Sequence, residues 1–151
     1  MKTVTKSAAE TKELAEKFAR KILGGKKKRG ARVLALSGEL GAGKTTFVQG
    51  FFKGLGIKAR AVSPTFIIFR RHNIPKNRHG YENVFHMDAY RLSGGKDLAP
   101  LGFGEIINDP KNILLVEWAG NIKNSIPERA SWITLEHGKD RGSRTIITKN
   151  I

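Results

Sequence analysis

Gly38-Glu39-Leu40-Gly41-Ala42-Gly43-Lys44-Thr45 fills every fixed position of the pattern G-x-x-x-x-G-K-[ST]. The apolar run Val33-Leu34-Ala35-Leu36 ahead of it reads as a buried strand. Thr46 to Lys53 behind it reads as the opening of a helix. In that setting the glycines let backbone N–H groups curl round phosphate oxygens, and Lys44 reaches the β and γ phosphates. The Thr45 hydroxyl is placed to ligate magnesium. Gly38, Glu39, Leu40, Gly41, Ala42, Gly43, Lys44, Thr45 and Thr46 are therefore expected to cradle a nucleoside triphosphate.

Outward from this loop, the pattern predicts an α/β fold. Ser7-Ala8-Ala9-Glu10 has capping-box spacing, and Leu14, Phe18 and Ile22 then form a helical stripe that ends at Gly24-Gly25. A helix is expected over about 7–23. Thr65 to Arg70 is β-rich, Val84 to Asp88 reads as a strand, and Asp97 to Ile107 as short helical turns. Ile113 to Glu117 is the plainest buried strand. Two half-buried strands, about 131–148, are joined by a turn at His137-Gly138. Together they predict one domain over 1–151: a P-loop NTPase-like three-layer sandwich, its central sheet mostly parallel with antiparallel additions.

Composition narrows the function. The 151 residues contain no cysteine, which removes disulfides, thiolate metal sites and cysteine nucleophiles. No window approaches 18 consecutive apolar residues, so no membrane span is expected. The opening segment has no apolar signal core, and Glu10, Glu13 and Glu16 do not suit a transit peptide, so the cytoplasm is expected. Lys and Arg total 28 against 13 Asp and Glu, a net charge of +15. Lys26-Lys27-Lys28-Arg29 forms one cluster; Arg70-Arg71, Lys76 and Arg78 form another. This charge reads as a solvated surface or as direct contact with RNA.

A phosphate loop needs an acid at the end of a neighbouring strand to organise magnesium. Asp88, after Val84-Phe85-His86-Met87, and Glu117, after Ile113-Leu114-Leu115-Val116, both qualify. With Thr45 they form the candidate metal set; Glu117 either holds the metal or orients the attacking water. His86 shares a strand face with Asp88 and is placed either to hold it or to serve as a structural histidine. Ser63-Pro64-Thr65-Phe66 reads either as a stiffened turn or as a γ-phosphate-sensing loop with Thr65 near magnesium or water. Arg91 has two readings, a phosphate neutraliser or a local ion-pair partner. Trp118 is a packing residue, or it lies under the nucleotide or at a partner surface.

The ordered combination of the loop with Ser63-Pro64-Thr65-Phe66, His86-Met87-Asp88-Ala89-Tyr90-Arg91-Leu92, Leu101-Gly102-Phe103-Gly104-Glu105 and Leu115-Val116-Glu117-Trp118-Ala119 resembles the TsaE (YjeE) family of bacterial tRNA threonylcarbamoyladenosine biosynthesis. The resemblance implies a magnesium-dependent ATPase that is weak alone and works with TsaD and TsaB. In it TsaD transfers a threonylcarbamoyl group to adenosine 37 of tRNA, and ATP hydrolysis resets or drives the partner complex. It further implies that Lys44 binds phosphate, Thr45 and Asp88 lie in the magnesium site, Glu117 lies in the metal or water site, and Thr65 is a switch-like threonine. Gly104 departs from the family pattern and predicts a less helical segment. The basic Arg71 to Gly80 stretch is longer than in many relatives.

Two other functions share the loop. A small-molecule or nucleotide kinase would need an acceptor pocket, with Arg70 to Arg78 as its lid. A nucleotide-gated RNA-binding module would suit the charge, though the basic clusters are not interleaved with stacking aromatics.

Overall fold

Strand β2 (Arg32–Ser37) lies inside a seven-stranded sheet in the computed structural model, which describes residues 1–26, 29–58, 60, 69–75 and 79–151. It runs parallel to β5 (Asn112–Glu117) on one side and to β6 (Ser131–His137) on the other. Parallel β4 (Asn83–Asp88) extends the sheet beyond β5. The outer strands are antiparallel: β3 (Phe69–Asn73) on β4, β7 (Arg144–Lys149) on β6, and β1 (Lys2–Thr5) on β7. The order is β1-β7-β6-β2-β5-β4-β3. Every residue of β5 is buried, which is why it reads as an unbroken apolar run and not as an alternation.

Helices α1 (Ala8–Gly24) and α2 (Lys44–Gly54) cover one face, over Leu34, Leu36, Ile113, Leu115, Ile133 and Ile146. On the other, α3 (Gly95–Leu98), α4 (Phe103–Asn108) and the 3-10 turns Ala99–Leu101 and Ala119–Ser125 cover Val33, Ala35, Met87, Leu114 and Val116. This is the three-layer, mostly parallel α/β sandwich that the sequence predicts. Ser7 caps α1 by accepting from the Glu10 backbone N–H at 3.1 Å, while Glu10 Oε2 accepts from the Lys6 N–H at 2.7 Å. Gly50 and Gly54, one turn apart on α2, let α1 approach so closely that a Cβ on either would meet the backbone of Lys12 or Glu16.

Several local expectations shift. Strand β1 is too short and polar to read from sequence; it forms because β7 offers a free edge, and the Met1 ammonium donates to the Thr148 carbonyl at 2.8 Å. The described part of the β-rich stretch continues to Asn73, since Arg71 and His72 pair with Phe85 and Val84. His137 remains in β6, paired with Arg144, so the chain turns over 138–143. Gly104 does not prevent a helix: burial of Phe103 and Ile106 holds α4 together. Among the described residues, no helix is long and apolar enough to cross a membrane.

Candidate functional site

The loop 38–43 leaves β2 at the edge where the parallel strands end. Gly38, Gly41 and Gly43 all have positive φ (141°, 75° and 102°), the backbone region that side chains disfavour. A Cβ on Gly38 would run into the Leu135 carbonyl of β6, so that position also needs glycine for space. A cavity of about 320 Å³ opens above the loop, walled by Gly41, Lys44, Thr45, Thr46, Glu117 and Trp118.

Register places the acids. Leu36 of β2, Glu117 of β5 and Asp88 of β4 stand in one row across three parallel strands, so both carboxylates end beside the start of α2. Glu117 and Asp88 are 2% and 8% exposed, a burial that charged groups accept only with polar partners. Thr45 Oγ1 lies 3.4 and 3.3 Å from the two Glu117 carboxylate oxygens. Asp88 Oδ1 accepts from the Tyr90 N–H at 2.9 Å. Lys44, Thr45, Glu117 and Asp88 thus gather at one sheet edge. Thr65, with the rest of 63–66, lies outside the described residues.

His86 does not hold Asp88 by a direct bond within this network; it holds Glu117. Its Nε2 lies 2.7 Å from Glu117 Oε1, with the ring N–H donating to the carboxylate. Period-two geometry puts His86 and Asp88 on one face, as the sequence indicates, but parallel pairing brings Glu117 into His86's reach. Phe52 of α2 stands edge-on to the imidazole at 5.9 Å.

Lys44 folds back on its own loop. Its ammonium donates to the carbonyls of Gly38 (2.6 Å) and Glu39 (2.8 Å) and lies 4.0 Å from the centre of the Trp118 ring. Burial pulls its pKa below the ordinary lysine value, against the raising pull of Glu117 and Asp88. Trp118 reaches over it with φ 57°, ψ 35°, a left-handed backbone rare for a bulky residue. Tyr90 packs on the indole at 4.9 Å between ring centres, and Asn121 Nδ2 donates to the Ala89 and Tyr90 carbonyls at 3.1 Å each.

Two residues absent from the sequence reading of the site brace the loop from outside. Arg144 Nη2 donates to the Gly41 carbonyl at 3.1 Å, and His137 Nε2 lies 3.4 Å from the Leu40 carbonyl. They are cross-strand neighbours on β6 and β7, a juxtaposition that no linear motif carries. Of the basic clusters, Lys26 and Arg29 lie near the start of β2, away from the loop, and Arg71 is tied to Asn83 Oδ1 at 3.0 and 2.7 Å. Lys27, Lys28, Lys76 and Arg78 are outside the described residues.

No group of three or more His, Cys, Asp and Glu side chains is gathered as a metal cage among the described residues. The donors present are a hydroxyl and two carboxylates. That set suits magnesium, which takes few protein oxygens and fills its other positions with water and phosphate.

A glycine loop between a parallel strand and a helix, with acids ending the neighbouring strands, defines a P-loop nucleotide-binding domain. The profile of the family described as threonylcarbamoyl adenosine biosynthesis protein TsaE matches residues 5–146. The chain belongs to the TsaE family. It is 39% identical over 108 residues to the TsaE protein of Bacillus subtilis (strain 168), covering 72% of this chain and 63% of that protein. It is 32% identical over 146 residues to that of Treponema pallidum (strain Nichols), covering 97% and 98%. The crystal structure of Bacillus subtilis YdiB superposes with a TM-score of 0.74 at 31% identity, covering all of this chain and 86% of that one.

Proposed function

We propose that the chain is a magnesium-dependent ATPase serving tRNA N6-threonylcarbamoyladenosine formation at adenosine 37, acting with TsaD and TsaB. The observation that carries this reading is the convergence of Lys44, Thr45 and Glu117 on one cavity, with Asp88 in the same row, in a chain of this family.

The chemistry is phosphoryl transfer to water. Such a reaction asks the protein mainly for position and positive charge. The amides of 38–45 hold the phosphate oxygens, and Lys44 exchanges the Gly38 and Glu39 carbonyls for them. A magnesium ion held here would supply positive charge against the transferring phosphoryl group. Thr45, Glu117 and Asp88 would hold it, with Glu117 steadied by His86; its contact with Thr45 supports the metal role over that of orienting water. Closing over Lys44, Trp118 limits water at the phosphates.

The test is multiple-turnover modification of tRNA by purified TsaD and TsaB, supplied with their activated threonylcarbamoyl donor, with and without this chain and ATP. Sustained modification should require the chain, and Lys44→Ala should abolish the requirement's fulfilment. Equal turnover without the chain would remove the proposed role. Phosphorylation of an added metabolite would instead identify a kinase.

A further inference from the structure

Helices cover one whole face of the sheet but only half of the other. On the α3–α4 side, among the described residues, β1, β7 and β6 carry no helix, and the last cover is the 3-10 segment 119–125. Between that segment and the bare strands runs a groove of about 400 Å³ lined by Lys123, Trp132, Thr134, Ile147 and Lys149. Register fixes its pattern: Trp132 stands directly opposite Lys149, and Thr134, Ile147 and Lys2 form the next row. Lys2, Lys123 and Lys149 are exposed, Trp132 partly so, and among the described residues none of the three lysines has an ion-pair partner. The acid of this surface, Glu136, sits a further row away toward the phosphate loop. At the edge where β6 begins, Arg129 and Arg29 line a second cleft of about 540 Å³.

We propose that this bare half-sheet is a single-stranded RNA-binding surface, with Trp132 as the stacking platform and Lys2, Lys123 and Lys149 as phosphate contacts. An aromatic ring on a sheet face flanked by cations is the arrangement by which unpaired bases are held: the base stacks and the backbone follows the charge. A net charge of +15 supplies the long-range attraction. An acidic protein would meet the lysines equally, but the apolar groups beside the indole, Ile147 and, one row further, Val4, are single side chains set among lysines and hydroxyls, a small core for a protein interface. This inference goes beyond the ATPase reading and does not depend on it, because the binding needs neither nucleotide nor partner.

The experiment titrates the full chain with an unstructured RNA dodecamer and follows tryptophan emission. The chain has two tryptophans, so Trp118→Phe leaves Trp132 as the reporter. Saturable quenching that weakens with salt is expected. Variants at Trp132 lack that reporter, so their binding is followed by the anisotropy of a fluorescently labelled dodecamer: Trp132→Ala should weaken it about tenfold, within the range of one lost stack, and Trp132→Phe should restore most of it. As Trp132 also packs against the core, a second variant replaces Lys2, Lys123 and Lys149 with alanine on exposed positions. Its log-affinity against log-salt slope should fall by about 2, at roughly 0.7 per single-strand phosphate. Absence of RNA binding, or binding unchanged in both variants, overturns the proposal. Loss of TsaB–TsaD association without any RNA binding would reassign the face to a protein.

Discussion

His86 Nε2 and Glu117 Oε1 stand 2.7 Å apart, both side chains buried, on adjacent parallel strands. The contact ties an imidazole on β4 to the acid that ends β5, and through Thr45 to the first turn of α2. Three elements that converge only in the fold are thereby fixed on one side of the cavity. Because a buried carboxylate left without its donor is costly, His86→Leu should destabilise the chain by about 1–3 kcal/mol. His86→Gln, which keeps an N–H donor, should recover part of it. Denaturant unfolding of both variants checks this; equal losses would show that shape, not the hydrogen bond, matters at this site.

The stacking of Lys44 on Trp118 predicts an optical signal. When phosphate draws the ammonium from the Gly38 and Glu39 carbonyls, the indole loses its cation. In a Trp132→Phe background, magnesium and ATP should change Trp118 emission, and Lys44→Met should abolish the change. A silent Trp118 at saturating ATP would mean that the indole is not part of nucleotide capture.

Lys44 also predicts a pH effect on the nucleotide-free chain. Burial sets its folded pKa below that of the unfolded chain. Between those two values the unfolded state binds more protons, so stability rises with pH across the window. Lys44→Met lacks this rise. Unfolding free energies of the two proteins should therefore diverge in the alkaline range; parallel curves contradict the burial argument.

Arg144 holds the Gly41 carbonyl from outside the cavity. One such hydrogen bond is worth about 1 kcal/mol, so Arg144→Ala should weaken ATP affinity about fivefold while leaving the fold intact. Calorimetric titration measures it. An unchanged affinity would show that the loop keeps its shape without this brace.

The sheet–helix layers predict one packing variant. Gly50→Ala pushes a methyl group into the Lys12 backbone and should cost about 1–3 kcal/mol. Gly24→Ala, with open space around it near the end of α1, should be neutral or stabilising by about 0.5–1 kcal/mol. Thermal unfolding distinguishes them, and similar shifts in both would remove the close α1–α2 approach as a stabilising feature.

Much of this arrangement is legible before folding. The loop is a contiguous motif, α1 carries its cap and stripe, and β5 is a long apolar run. Asp88 and Glu117 are legible because each ends a strand. What sequence does not disclose is register. Spacing along β4 couples His86 with Asp88, whereas pairing with β5 gives its hydrogen bond to Glu117. Arg144 and His137 reach the loop through the last hairpin, about a hundred residues downstream. Strand β1 exists because an edge was available. The bare face around Trp132 emerges only once the helices are seen to stop short of it.

The most direct measurement is phosphate release from ATP by the chain alone and mixed with TsaB and TsaD, for the natural sequence, Lys44→Ala and Glu117→Ala. Slow release alone, faster release in the mixture, and loss of both in either variant is the predicted result. Undiminished hydrolysis in both variants would contradict the account.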